Sequence, residues 1–333
     1  MAQTHSPGME HVHMISVPLP GFPDLMTANM YVLGSGPVTL IDSAPKFPGS
    51  LNTVQSQLES FGFTFSDIER IIITHGHIDH FGLASQIKSL SGHDVPCYIH
   101  EDDAWRLSRN YLESGMWSED SVTFIASMGM PEEIAQRMKR RSAFFKNLCD
   151  PIDDVLPLQD GDVFTGEDFE LVIIHTPGHS PGSICIYEKR RRVLFSGDHI
   201  LKHITPNPFH EVHRSRLKDP TYKSLVSYLQ SLDKLSQLCV ERVFTGHGDP
   251  LDDLPGLLAS YRQHHAQRTQ DIWHALENRP RVVFDLIPEV FPLLKPDEEW
   301  LAVSEILVHL EILIDEGRAE LCDSGPPAMF QAL

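Results

Sequence analysis

The run His75-Gly-His77-Ile-Asp79-His80, directly behind the apolar stretch Ile71-Ile72-Ile73, leaves this chain few choices of fold. A buried strand has to end there and deliver three imidazoles and a carboxylate into one short loop. Neutral imidazole and carboxylate are the usual ligands of Zn²⁺ and related divalent ions, so this concentration points to a metal. His75 and His77, two residues apart at a strand end, can project the same way and grip one ion. Asp79 and His80 lie just beyond the turn and can reach a second.

Three further ligand candidates stand in the same setting. Leu171-Val-Ile-Ile174 leads into His175-Thr-Pro-Gly-His179, Arg192-Val-Leu-Phe195 into Ser196-Gly-Asp198-His199, and Arg242-Val-Phe-Thr245 into Gly246-His247-Gly248. Each short apolar run is followed by Gly or Pro-Gly, turn chemistry that lets backbone pass close to a bound ion. Strand ends that converge on one edge of a sheet are where α/β proteins place ligands.

In type, order and spacing these four motifs resemble the metallo-β-lactamase superfamily, over roughly Asn29 to Pro250. The resemblance implies an α/β fold, a four-layer αβ/βα sandwich with a dinuclear site between two sheets. It also implies that His75, His77 and His179 bind the first metal, that Asp79, His80 and His247 bind the second, and that Asp198 bridges both. Val38-Thr-Leu-Ile-Asp42-Ser-Ala44 takes the place of an early strand and Asp-Thr-Gly turn, with Ala44 where the family carries Gly. Two dications sharing a water would bring its pKa from near 15.7 to about 7, giving hydroxide that attacks a carbonyl or phosphoryl centre. Asp79 and Asp198 are then the expected catalytic carboxylates, Asp79 orienting the nucleophile and taking its proton. His77 stands where related diiron oxidoreductases carry a carboxylate. This favours two Zn²⁺ per chain, with Fe²⁺ or Mn²⁺ compatible with the ligand types.

Composition narrows the setting. The formal net charge of −19 argues against general affinity for nucleic acid or anionic membranes. Five scattered cysteines form no C-x-x-C pair and suit reduced packing residues. Met1 to Pro7 has neither a basic nor an apolar region of a signal peptide, and no run of about 18 apolar residues offers a membrane span. A cytoplasmic enzyme is the expectation. Among the remaining histidines, His5, His11 and His13 lie in a polar N-terminal stretch, and His264 and His265 in a polar helix where surface positions are expected. His199 and His203 could line the pocket or serve structure.

The catalytic domain is expected over 1–258, interrupted at about 101–150 by a helical insertion. Ser118-Glu-Asp and Pro131-Glu-Glu-Ile134 read as helix starts, for helices at about 119–130 and 131–148. Trp105, Tyr111, Trp117, Phe124, Met128, Met130, Phe144 and Phe145 can bury this insertion or roof a pocket for an acyl or aromatic substrate. Farther on, Asp219-Pro220 reads as a helix cap ahead of the apolar face Leu225, Leu229, Leu232 and Leu235. Residues 259–333 show a helix over Leu257 to Glu277, a short apolar segment over Val282 to Phe291, and a helix carrying Val303, Ile306, Leu307, Leu310, Leu313 and Ile314, stopped by Gly317. The stretch Arg318-Ala-Glu-Leu-Cys follows as a candidate wing strand. This tail is similar to the winged helix on one superfamily branch that includes a mitochondrial endoribonuclease. Between Pro296 and Gly317 it carries acidic residues and no Lys or Arg, so DNA is not an expected partner, and packing or a homodimer contact is.

The expected activity is metal-dependent hydrolysis of a small carbonyl ester, foremost a thioester as in the hydroxyacylglutathione hydrolases, which Thr205-Pro-Asn-Pro208 also resembles. A lactonase, an endoribonuclease or phosphodiesterase, and a non-enzymatic metal-bound ligand sensor are the alternatives.

Overall fold

The computed structural model describes residues 11–22, 24–114, 119–277 and 279–333. Ser118 and Trp117 of the insertion, and His5 and the Met1–Pro7 stretch, lie outside them. Two sheets form the centre. The first, in the order β1 to β6, comprises β1 Val12–Pro18, β2 Thr27–Leu33, β3 Val38–Ile41, β4 Ile68–Ile72, β5 Cys97–His100 and β6 Val155–Leu158. The second has the order β11-β10-β9-β8-β7, from β7 Val163–Thr165, β8 Glu170–His175, β9 Ile184–Glu188, β10 Val193–Phe195 and β11 Arg242–Phe244. Their facing surfaces bury Tyr31, Ile41, Ile72, Ile173, Ile186, Phe195 and Phe244 in one apolar layer. Each fully buried side chain of this kind contributes about 1.5–3 kcal/mol. Helices Ser50–Ser60 and Ala84–Ser91 cover the first sheet, and Ser224–Ser236 and Leu254–Ala275 the second. The result is the expected α/β four-layer sandwich.

Strand direction decides where the motifs meet. β3 and β4 are parallel, as are β10 and β11, while β8 and β10 both run antiparallel to β9 and so point the same way. The carboxyl ends of β4, β8, β10 and β11 therefore open on one edge, each followed by its ligand loop. The sheets are stitched there by Ile184 N–H to Thr74 O (2.9 Å), Asn29 N–H to Gly246 O (2.8 Å) and Tyr31 Oη to Thr245 O (2.6 Å). Ala44, in the position of the family's Gly, has φ 61°, and Asp42 likewise. Both residues hold a left-handed conformation that glycine would take freely, so the turn keeps its shape despite the substitution.

The insertion contains helices Glu119–Ser127 and Glu132–Phe145, shorter at their ends than expected. Its apolar side chains mostly bury it, and the partner is the C-terminal region. Ile125, Met128, Met130 and Met138 share a core with Ile272, Leu286, Val303, Ile306 and Leu310. Tyr111 joins the core under the first sheet, whereas Phe144 is exposed.

The local expectations at Asp219 and His265 are corrected. The short apolar segment Val282 to Phe291 forms mostly helix (Val283–Val290), directly after β12 Arg281–Val282. Asp219 caps a turn through Thr221 N–H (2.8 Å), and the helix begins five residues later at Ser224. His265 is buried at 2 % exposure rather than on the surface. It lies edge-on to Tyr228 with ring centroids 5.5 Å apart, because adjacent positions 264 and 265 point about 100° apart on a helix. Helix Leu254–Ala275 runs through the expected boundary at 258/259. It places Leu254, Leu258 and Tyr261 in the core of the second sheet, and Ile272 and Ala275 in that of the tail. After helix Glu299–Asp315 come β13 Ala319–Asp323 and β14 Met329–Ala332, which join β12 in a three-stranded antiparallel sheet ordered β12-β14-β13. Among the described residues no helix is long and apolar enough to cross a membrane.

Candidate metal centre

All seven expected ligands converge at the sheet edge. His75 Nε2 and His179 Nε2 each lie 3.0 Å from His77 Nδ1, so three ring nitrogens face one point. His77 Nδ1 can donate to at most one of them, so hydrogen bonding does not account for the triad, whereas an ion between the nitrogens does. Beside it, His247 Nε2 lies 3.3 Å from Asp79 Oδ2 and 3.1 Å from Asp198 Oδ2, and His80 Nε2 is 3.3 Å from Asp198 Oδ1. Asp198 Oδ2 is also 3.7 Å from His179 Nε2, so this carboxylate touches both groups. His75, His77 and His179 form one potential metal-holding group, Asp79, His80 and His247 another, and Asp198 groups with His75 and His80. His80 Nε2, His247 Nε2 and Asp198 Oδ1 are buried without a hydrogen-bond partner. Such atoms are expensive to bury unless something else meets them, and the donor set fits two divalent ions. A fourth group, His100, Asp102 and His175, lies apart from this set, and His175 does not join the ligands.

The rear nitrogen of most of these rings is tied down. His80 Nδ1 donates to Asp42 Oδ2 (2.8 Å), His179 Nδ1 to Asn207 O (3.0 Å) and His247 Nδ1 to Thr27 O (2.7 Å), while His75 Nδ1 meets Thr74 Oγ1 (3.1 Å). These bonds select the tautomer whose Nε2 lone pair faces inward. Asp42, at the turn where Ala44 replaces the family's Gly, also accepts from Thr74 N–H (2.8 Å) and Thr74 Oγ1 (2.9 Å).

Charge differs between the two halves. Burial, then the neighbouring imidazoles, hold His75 well below the ordinary histidine range and His77 down at about 3. Burial also opposes charge on His80 and His247, but Asp198 and its neighbouring carboxylates outweigh it. His80 lies well above its usual range and His247 is raised to about 10. Burial pushes the carboxyls of Asp79 and Asp198 up, and His80 and His247 more than reverse it, keeping both ionised.

Asp103 escaped the sequence reading. Fully buried, it accepts from Gly76 N–H (2.8 Å), Ser180 Oγ (2.5 Å) and Gly182 N–H (3.1 Å) and pairs with Arg106, binding the loop of His75–His80 to that of His179. Within Glu101-Asp102-Asp103 it looks like an acidic helix start, and no local pattern marks it. Gly246 is equally constrained, since a Cβ there would collide with Asp198 Oδ1 and come within 2.8 Å of His80 Cε1. His199 is buried against Tyr228, and His203 is exposed.

Residues 23–247 match the Metallo-beta-lactamase superfamily profile. The chain is similar to the probable metallo-hydrolase YqjP of Bacillus subtilis (strain 168), 26 % identical over 289 residues, 85 % of this chain and 86 % of that protein. It is also similar to the acyl-coenzyme A thioesterase MBLAC2 of Homo sapiens, 30 % identical over 182 residues, 53 % of this chain and 54 % of the other. The crystal structure of a metallo-beta-lactamase family protein from Thermus thermophilus superposes with a TM-score of 0.82 at 26 % identity, covering 97 % of this chain and 99 % of that one. The fold and the paired ligand groups define a metallo-hydrolase. The chain belongs to the metallo-beta-lactamase superfamily.

Proposed function

We propose that the protein is a dinuclear, zinc-dependent hydrolase of small thioesters. The observation that carries the reading is the convergence of two ligand groups on one shared carboxylate, Asp198. His75, His77 and His179 would hold one ion, and Asp79, His80 and His247 the other. Two such ions supply Lewis acidity and a water acidified to near neutrality. Asp79 directs Oδ2 at His247 and His80, leaving Oδ1 without a partner among the described residues on a side chain 28 % exposed. An ionised oxygen in that position can orient an attacking water and accept its proton. Asp198 keeps the two groups in register and offsets their charge. Phe209 lies edge-on to His77 and His179, with centroids 5.5 and 5.3 Å away, and provides an apolar wall beside the reacting centre. The likeness to an acyl-coenzyme A thioesterase favours a thioester over the other ester classes.

The C-terminal region, with its helices and three-stranded sheet, supports a winged-helix reading in which the acidic helix serves packing rather than phosphate binding. Glu305 pairs with Arg268, Glu311 with Arg214 and Asp315 with Lys223, so several acids face protein. The test is turnover by zinc-loaded protein on a panel of acyl thioesters, lactones, phosphodiesters and RNA. Thioester cleavage that is lost on chelation and restored by zinc is the expected result. Preference for lactones or phosphodiesters would displace the thioester reading.

A further inference from the structure

The C-terminal helix Glu299–Asp315 reaches the metal centre through one short segment. Asn207 stands between Pro206 and Pro208, which lack N–H groups, so this stretch has few backbone donors with which to anchor itself. Yet it carries the carbonyl that receives His179 Nδ1 (3.0 Å) and, two residues on, the Phe209 ring packed on His77 and His179. Its anchors come from elsewhere. Ser224 Oγ donates to Phe209 O (2.5 Å), Asn207 Nδ2 to Leu301 O (3.4 Å), and the His210 amide to Ser304 Oγ (2.7 Å). The last two partners belong to the C-terminal helix, 94 residues away in sequence. Arg214 then pairs with Glu311 of the same helix, and Phe124 of the insertion stacks on the His210 ring at 5.1 Å and 4°.

Ser304 is the informative residue. It is fully buried between Val303 and Ile306 on a helix whose buried face is mostly apolar, His309 being its other buried polar residue. A hydroxyl there is costly unless it is hydrogen-bonded, and packing alone would be served by Ala. What it meets is the amide next to Phe209.

We propose that Ser304 is a positioning residue for the metal centre. By accepting the His210 amide hydrogen it fixes the segment Asn207–His210, and so the carbonyl that sets the tautomer and orientation of His179. The C-terminal region is on this account part of the apparatus that shapes the site. The proposal rests on the reading of His75, His77 and His179 as a metal-holding group.

Full-length Ser304→Ala removes the acceptor at minimal change in volume. Partners behind metal-ligating histidines commonly set metal affinity by 10–100-fold, and Ser304 acts one link farther out. A loss of about 10-fold in affinity for the tighter zinc ion, by competition with a chelating dye, is expected. Amide hydrogen exchange in the peptide spanning 204–214 should accelerate by at least about 10-fold, with or without metal. Leu313→Ala, in the same helix and fully buried among tail residues, separates this role from general loosening of the tail. It should lower thermal stability and leave zinc affinity at the wild-type value. Wild-type affinity and exchange in Ser304→Ala, or an equal loss of affinity in Leu313→Ala, would overturn the proposal. Failure of the wild-type protein to bind zinc would instead sink the metal reading, and exchange alone would then decide whether Ser304 pins the segment.

Discussion

Changing Asp42 to Asn alters one atom's chemistry at a site with no room for adjustment. Asp42 is 2 % exposed and accepts three hydrogen bonds, from Thr74 N–H, Thr74 Oγ1 and His80 Nδ1. In the variant the amide oxygen can still receive the Thr74 N–H. The amide nitrogen then replaces Oδ2 and presents hydrogens to His80 Nδ1, which was itself the donor. His80 can answer by moving its proton to Nε2, which satisfies the new contact but removes the lone pair that faces Asp198 and His247. The alternative flip sets an NH₂ group against the Thr74 N–H. Losing a partner of this kind costs roughly 10–100-fold in metal affinity, which is about 1.4–2.8 kcal/mol. The loss should fall mainly on the weaker of two ions, because His80 meets Asp42 directly, whereas His179 keeps its own rear contact and His75 feels the change only at second hand, through Thr74 Oγ1. Isothermal titration of apoprotein with zinc resolves the two events. Asp42→Asn with both affinities unchanged would refute the tautomer argument, and equal losses at both ions would refute its assignment to His80.

Asp198→Asn should reduce turnover by several orders of magnitude and leave about one ion per chain by elemental analysis, since the shared carboxylate is lost. Metal binding should release protons unequally. His80 and His247 have raised pKa values and must shed protons to bind, so affinity for one ion should climb by up to about 100-fold per pH unit between pH 6.5 and 9, while the other, at the depressed His75 and His77, stays nearly flat. Titrations in buffers of different ionisation enthalpy check this, and matching slopes would contradict it. In the apoprotein the raised His247 contributes stability that is complete below pH 6.5 and is lost as pH climbs through about 10, so its melting temperature should fall over that window. Gly246→Ala forces a methyl onto Asp198 and should cost about 1–3 kcal/mol in the unfolding free energy together with metal content. The full-length protein should show no salt-sensitive binding to duplex DNA or RNA in low-salt anisotropy titrations, and micromolar affinity that weakens steeply with salt would reverse the reading of the acidic C-terminal helix.

The candidate metal site was legible in the sequence because each candidate ligand lies within a few residues of a strand end, and strand, turn and ligand types are all local signals. Four such signals in a fixed order also carried the superfamily resemblance and, with it, the four-layer fold. Helix Glu299–Asp315 was visible for the same reason, through its apolar periodicity. The burial of His265 was not, since composition describes a helix as polar without saying which face a neighbouring helix will cover. Nor could the sequence show that the insertion packs on the C-terminal region, because Met128 and Val303 are brought together only by the chain path between them. Asp42, Asp103, Asn207 and Ser304 are the plainest cases. Each is an ordinary polar residue in its local context, and its role comes from a partner distant in sequence: His80, Gly182, His179 and the His210 amide. Local sequence determined which atoms could meet a metal. Tertiary structure decided which atoms stand behind them, because a hydrogen bond between remote residues exists only after both backbones have been placed.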